Sequence, residues 1–145
     1  MRAAAAGGAI VKVIFENAYL NDEEKAAACR ASEAAGAAFV KTSTGFAAPA
    51  SGVAVGSTPA DLRLMRSHTG SGTEVKAAGG IRTHALLEAV ACGATRIGTT
   101  STVAIAEEAS RRDPRGEGMP VAASVSSTAA AAAAGPSAAR GLSLY

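Results

Sequence analysis

The chain has 145 residues, 48% apolar and 18% charged, with a formal net charge of +2. That balance is too even for a protein drawn to nucleic acid or to a membrane surface by electrostatics. With no tryptophan, two tyrosines and three phenylalanines, it has too few rings for an aromatic ligand cage.

Alanine supplies 38 residues, leaving larger apolar side chains for one modest domain. Cys29 and Cys92 both fall in stretches read as helices. This argues against a disulfide-stapled secreted scaffold and for a reducing, cytoplasmic setting. The apolar opening, Ala3 to Val11, is broken by Lys12 and runs straight into Val13-Ile14-Phe15, so it does not read as a signal peptide.

Ile10 to Glu16 is the first β-rich run, and Asn21 then caps a helix predicted over Asp22 to Ala35. A second strand, Ala37 to Thr42, leads through a Gly-containing loop to Ser57, read as the cap of a helix over Thr58 to Thr69. The third strand is Thr73 to Ala78. Its Gly79-Gly80-Ile81-Arg82 turn delivers Thr83, read as opening a helix to Cys92. Thr95 to Thr99 and a helix over Ser101 to Arg111 close the pattern, which is βαβαβαβα. Gly8-Ala9, Gly36-Ala37 and Gly93-Ala94 each stand just before a strand, a repeat that suits glycine at left-handed helix ends. Right-handed crossovers make this a parallel sheet covered by helices. Four such units cannot close an eight-stranded barrel, which takes about 250 residues.

From residue 113 the composition shifts, and 22 of the last 33 residues are Ala, Gly, Ser or Pro. Such a segment buries too little to offset the entropy of ordering it. The expected organisation is a folded unit over 1–112 and a disordered tail over 113–145, with a frayed helix at Ala129 to Ala134. The uncharged stretch Val121 to Ala139 has the length of a membrane span but is too polar to be one.

The chain uses ten arginines and four lysines, and three of those lysines, Lys12, Lys41 and Lys76, fall inside predicted strands. An ammonium on a strand buried on both faces is costly unless paired or neutralised. Each can be a structural charge. For Lys12, Glu16 stands two pleats on as the expected partner. Lys41 and Lys76 each precede a Gly-containing loop at the strand's C-terminal end, where α/β sheets carry their sites. If those strands are neighbours, repulsion and desolvation leave a neutral amine able to attack a carbonyl and form a Schiff base. Gly79-Gly80 and Gly98-Thr99-Thr100-Ser101 are either tight turns or an anion cradle of backbone N–H groups and hydroxyls. His68 and His84 lack metal-ligand spacing, and Asp61, Arg63 and Arg66 read as solvated helix face. Arg82 is either a pocket residue or a helix-start charge.

Four segments together resemble the deoxyribose-phosphate aldolase family: Val11-Lys-Val-Ile-Phe-Glu16, the run from Ala34 to Phe46 with Phe-Val-Lys-Thr-Ser-Thr-Gly at its centre, Val75-Lys-Ala-Ala-Gly-Gly-Ile-Arg82, and Gly93-Ala-Thr-Arg-Ile-Gly-Thr-Thr-Ser101. The resemblance implies a TIM barrel, of which these four βα units correspond to the last four, a half-barrel. It implies reversible cleavage of 2-deoxy-D-ribose 5-phosphate to acetaldehyde and D-glyceraldehyde 3-phosphate, with no metal or organic cofactor. Lys41 matches the Schiff-base lysine and Lys76 the lysine that lowers its pKa. Thr44 and Gly45 match substrate-lining positions, and Gly79, Gly80, Gly98, Thr100 and Ser101 match phosphate-binding ones. The family's proton-relay aspartate belongs to the strand before these four, and Glu16 is weighed as a substitute for it. Two further readings stay open: an inactive half-barrel that binds phosphate, and a related class I aldolase acting on another phosphorylated aldehyde. Exposed edges of a half-barrel imply self-association.

Overall fold

The computed structural model describes residues 3, 6–49, 51–112 and 143–144. The elements run β1 (Lys12–Ile14), a 3-10 turn (Asn17–Tyr19), α1 (Asp22–Ala34), β2 (Phe39–Lys41), α2 (Pro59–Ser67), β3 (Glu74–Ala78), α3 (Thr83–Ala91), β4 (Ala94–Gly98), α4 (Thr102–Arg112) and β5 (Ser143–Leu144). Of the expected disordered tail, only Ser143–Leu144 are described, and they pair in parallel with Arg96 and Ile97 of β4. The helix expected at Ala129 to Ala134 lies outside the described residues. No helix among the described residues is long and apolar enough to cross a membrane.

Strand order in the sheet is β1-β2-β3-β4-β5, the order of the sequence, and every pairing is parallel. A doubly wound sheet reverses its strand order at a switch point, whereas this one advances in one direction as a barrel wall does. One face of the sheet is apolar. Val40, Val75, Ala77 and Ile97 are buried there against Cys29, Leu62, Met65, Leu86, Ala89, Cys92 and Ile105 from the helices. Each fully buried aliphatic side chain contributes roughly 1.5–3 kcal/mol, which makes this contact the main support of the fold. By strand alternation the other face carries Lys12, Ile14, Phe39, Lys41, Lys76 and Arg96.

The helix ends follow local chemistry. Asn21 and Glu24 form a reciprocal capping box at α1. At α2 the cap is Thr58, which accepts from the Asp61 amide at 3.1 Å, and not the expected Ser57. Ser57 stands one residue too early for a hydroxyl to reach the N3 amide once Pro59 occupies the first helical position. Arg82, not Thr83, is the capping residue of α3, and no side chain caps it. Gly36 and Gly93, at the ends of α1 and α3, have φ of +78° and +94°, the left-handed conformation expected from the Gly-Ala repeat.

Two residues expected on a solvated face of α2 are structural instead. Asp61 is buried and holds Lys25 of α1 at 2.7 Å, while Asp22 holds the same amine at 3.0 Å. Burial works against the Lys25 charge, but its hydrogen bonds to Asp61 and Asp22 outweigh that and hold its pKa above the ordinary value. Arg66 donates to the carbonyls of Thr69, Gly70 and Thr73, closing the turn into β3. Sequence periodicity cannot separate these residues from solvated ones, because their partners lie on other elements. Arg63 is exposed as expected.

Candidate active site

Strands β2 and β3 pair with Lys41 directly opposite Lys76. Adjacent strands lie about 4.8 Å apart, so two amines rise from neighbouring positions on one face. Lys76 is 8% exposed. Burial first, then the charges of Lys12 and Lys41, a hydrogen bond with Lys12 and the charge of Arg96 lower its pKa from 10.5 to about 8. These contacts act on Lys76, the more deeply buried of the two, in a strand flanked on both sides by cation-bearing strands.

One extra residue in β4 completes this environment. Val75 pairs with Ala94 and Lys76 with Arg96, so Thr95 is a bulge. The bulge puts Ala94 on the helix side and Arg96 and Gly98 on the side of Lys76. A Cβ on Gly98 would sit 3.0 Å from Lys76 Cε and 3.5 Å from its Nζ, so glycine there leaves room for the lysine to lie across β4.

The expected Lys12–Glu16 pair does not form. Lys12 reaches over the Phe39 ring, 5.7 Å from its centroid, and its charge bears on Lys76. Arg96 lies over the same ring at 4.3 Å. Glu16 has φ +55°, which turns its carboxylate away from the strand and onto the next loop. There it accepts from the Thr44 amide at 3.0 and 3.2 Å and from the Thr44 hydroxyl.

An open cleft of about 410 Å³ lies at the C-terminal ends of β2, β3 and β4. Lys41, Thr44, Gly45, Lys76, Gly79, Gly80, Gly98, Thr100 and Ser101 all line it. Arg82 lines it too, besides starting α3, and so do Phe46 and Thr99. Two threonines hold the three loops in place. Fully buried Thr42 donates to the Ala78 carbonyl at 3.0 Å and accepts from the Ala78 amide at 3.1 Å, extending the β2–β3 ladder through a side chain. Thr99 donates to the Ile81 carbonyl at 2.6 Å and accepts from the Ser101 amide at 3.0 Å. The Ser101 amide is therefore committed inside the loop, which leaves its hydroxyl as the group to offer a ligand.

Backbone meets backbone where the β2–α2 loop crosses Gly79. Ser57 N–H donates to the Gly79 carbonyl at 3.2 Å, and a Cβ on Gly79 would lie 2.6 Å from the Gly56 Cα. The sequence reading did not find Lys12, Arg96 or Thr42 as parts of this site, and it placed Thr99 in the anion cradle without its bridge to Ile81. For Lys12 the signal was present, since the cost of a strand lysine applies to it as to Lys41 and Lys76. For Thr42, and for the bridging role of Thr99, no signal existed, because a hydroxyl that bridges two loops looks like any other loop threonine.

No protein-family model matches the chain. It is 51% identical over 107 residues to a deoxyribose-phosphate aldolase of Rhodospirillum rubrum, covering 73% of this chain and 42% of that protein. It is 53% identical over 103 residues to one of Thermococcus kodakarensis, covering 70% and 43%. Among solved structures, "QR15, an Aldolase" superposes with a TM-score of 0.66 at 42% identity, over 74% of this chain and 47% of that one. The structure described as a unique tetrameric deoxyribose phosphate aldolase from Aeropyrum pernix gives 0.64 at 36% identity, over 78% and 46%. The chain thus spans less than half the length of these relatives, and its four parallel βα units are of the TIM-barrel type of these aldolases.

Proposed function

We propose that this chain, a homologue of the deoxyribose-phosphate aldolases, carries a Schiff-base lysine beside a phosphate cradle. The reaction it serves is the reversible cleavage of 2-deoxy-D-ribose 5-phosphate to acetaldehyde and D-glyceraldehyde 3-phosphate. The observation that carries this reading is Lys41 in register with Lys76 on one face of the sheet.

With a pKa near 8, Lys76 spends an appreciable part of its time neutral and can accept the proton of the Lys41 ammonium. The freed Lys41 Nζ attacks the aldehyde carbon, and the carbinolamine loses water to give a protonated imine. When the 3-hydroxyl gives up its proton to water in the open cleft, the C2–C3 bond breaks, its electron pair passes to the iminium nitrogen, and glyceraldehyde 3-phosphate leaves. The enamine that remains takes a proton on carbon, and water releases acetaldehyde. Neither a metal nor an organic cofactor enters these steps.

Thr44 and Gly45 border the carbonyl end of the cleft. Gly79, Gly80 and Gly98, with the hydroxyls of Thr100 and Ser101, supply donors for the phosphate. On titration with inorganic phosphate or deoxyribose 5-phosphate, the amides of Gly79, Gly80 and Gly98 are expected to shift together in NMR spectra while those of α1 stay still. A folded sample without such shifts would remove the phosphate cradle from the proposal.

The folded unit of this reading is 1–112, with 113–145 as an appended tail, in the cytoplasm, where the buried Cys29 and Cys92 stay thiols. Self-association belongs to the same proposal. Among the described residues no strand covers the outer edge of β1, where Ile10 and Ile14 are 62% and 47% exposed. Bare edges of this kind pair with other chains. Light scattering is expected to show species larger than a monomer, and a monomer with a sharp cooperative melt would count against this part.

A further inference from the structure

At the end of β1 the chain does something costly for an ordinary residue, since Glu16 is the one non-glycine residue among those described with positive φ, at +55°. A left-handed conformation is unfavourable for a non-glycine side chain, so the surroundings must hold it there. What holds it is the β2–α2 loop. The carboxylate takes the Thr44 amide and the Thr44 hydroxyl proton, and three residues on Tyr19 Oη accepts the Ala48 amide at 2.9 Å. The Thr44 oxygen in turn accepts from the Phe46 amide at 3.2 Å. A hydroxyl has one proton and two lone pairs. With the proton on Glu16 and one lone pair on Phe46, the oxygen keeps one lone pair on a residue that lines the Lys41 cleft.

We infer that Glu16 is a positioning residue of the lysine site: it commits the Thr44 hydroxyl proton, so that Thr44 meets the reacting group only as an acceptor. This rests on the Schiff-base reading above. It gives the strained backbone at Glu16 a function that pairing with Lys12 would not.

The test is borohydride trapping of acetaldehyde on the full chain, read as maximal rate and half-saturating concentration. Glu16→Gly relieves the backbone while removing the carboxylate. It should fold at least as well as the parent yet trap roughly tenfold more slowly at saturation, the scale of a lost positioning contact, with half-saturation little changed. Glu16→Gln keeps an acceptor for the Thr44 amide but donates into the Thr44 oxygen. It should keep the parent's melting temperature and still be slow. Thr44→Val should be as slow as either, and combining it with Glu16→Gly should add nothing. Parent-like rates in Glu16→Gln, or additive losses in the double variant, would overturn the inference. If the parent itself is not labelled, the Schiff-base reading has failed, and the Thr44 amide then decides on Glu16. Hydrogen exchange there at least tenfold faster in Glu16→Gly, on the scale of a lost charge-assisted hydrogen bond, supports the clamp, and unchanged exchange overturns it.

Discussion

Borohydride reduction in the presence of acetaldehyde is expected to leave an N-ethyl group on Lys41 and to spare Lys25, because these two amines live in opposite environments. Lys25 is charged and clamped between Asp22 and Asp61. Lys41 is half-buried, lines the cleft and stands beside an amine that titrates near 8. The trapping rate should climb with pH through about 8 and then level off, since Lys76 can relieve Lys41 of its proton only once it is itself neutral. Lys41→Met should abolish the specific label. Lys76→Met should slow it roughly 10²-fold at neutral pH, the lower range for the loss of a positioned general base. A label located on Lys76 by mass spectrometry would exchange the two roles, and a label spread evenly over all four lysines would remove the site.

The same lysine leaves a mark on stability. Its folded pKa, about 8, lies below the unfolded value of 10.5, so between these values the unfolded chain binds more protons. Stability therefore rises with pH across that window, and the cost of the buried charge is present in full below 8. Lys76→Met is expected to abolish the rise and to be more stable than the parent at neutral pH, a trade of stability against chemistry. A parent whose stability is flat from pH 8 to 10.5 would show that the charge is not held at a cost.

Gly79→Ala is expected to cost about 3 kcal/mol or more in urea denaturation, the upper range for single substitutions, whereas Gly80→Ala should cost only about 1 kcal/mol. Both glycines have positive φ, +92° and +71°, so both substitutions carry the same conformational penalty. They differ in what a Cβ would meet. At Gly80 nothing lies within 4 Å, but at Gly79 the Gly56 Cα is 2.6 Å away and the Ser43 Cβ 3.5 Å. Backbone cannot swing aside as the end of a long side chain can. Relief requires the β2–α2 loop to leave, breaking the Ser57–Gly79 hydrogen bond and disturbing the cleft wall at Thr44 and Gly45. The phosphate-dependent amide shifts should therefore vanish in Gly79→Ala and survive in Gly80→Ala. Equal stability losses in the two variants would mean that the loop does not pack on Gly79.

The order of elements was legible in the sequence because its signals are local: alternating β-branched runs, Asn21 before Asp-Glu-Glu, and glycine at the end of α1 and α3. The cost of an ammonium on a strand also singled out Lys41 and Lys76, and it applied to Lys12 as well, whose apparent partner Glu16 obscured it. Register, by contrast, depends on how strands pair. The bulge at Thr95, which sets Gly98 against Lys76, cannot be read from β4 alone, since simple alternation places Ala94, Arg96 and Gly98 on one face. Nor can a local pattern reveal the left-handed turn at Glu16, the Lys25–Asp61 pair or the Thr42 and Thr99 bridges. Each of these joins residues far apart in the chain, and its energy exists only after the elements have packed. The sequence by itself determined which residues form the strands and helices and which lysines needed a reason. Tertiary structure decided that Lys76 is driven toward neutrality, because that depends on the charges and burial that neighbouring strands bring to it.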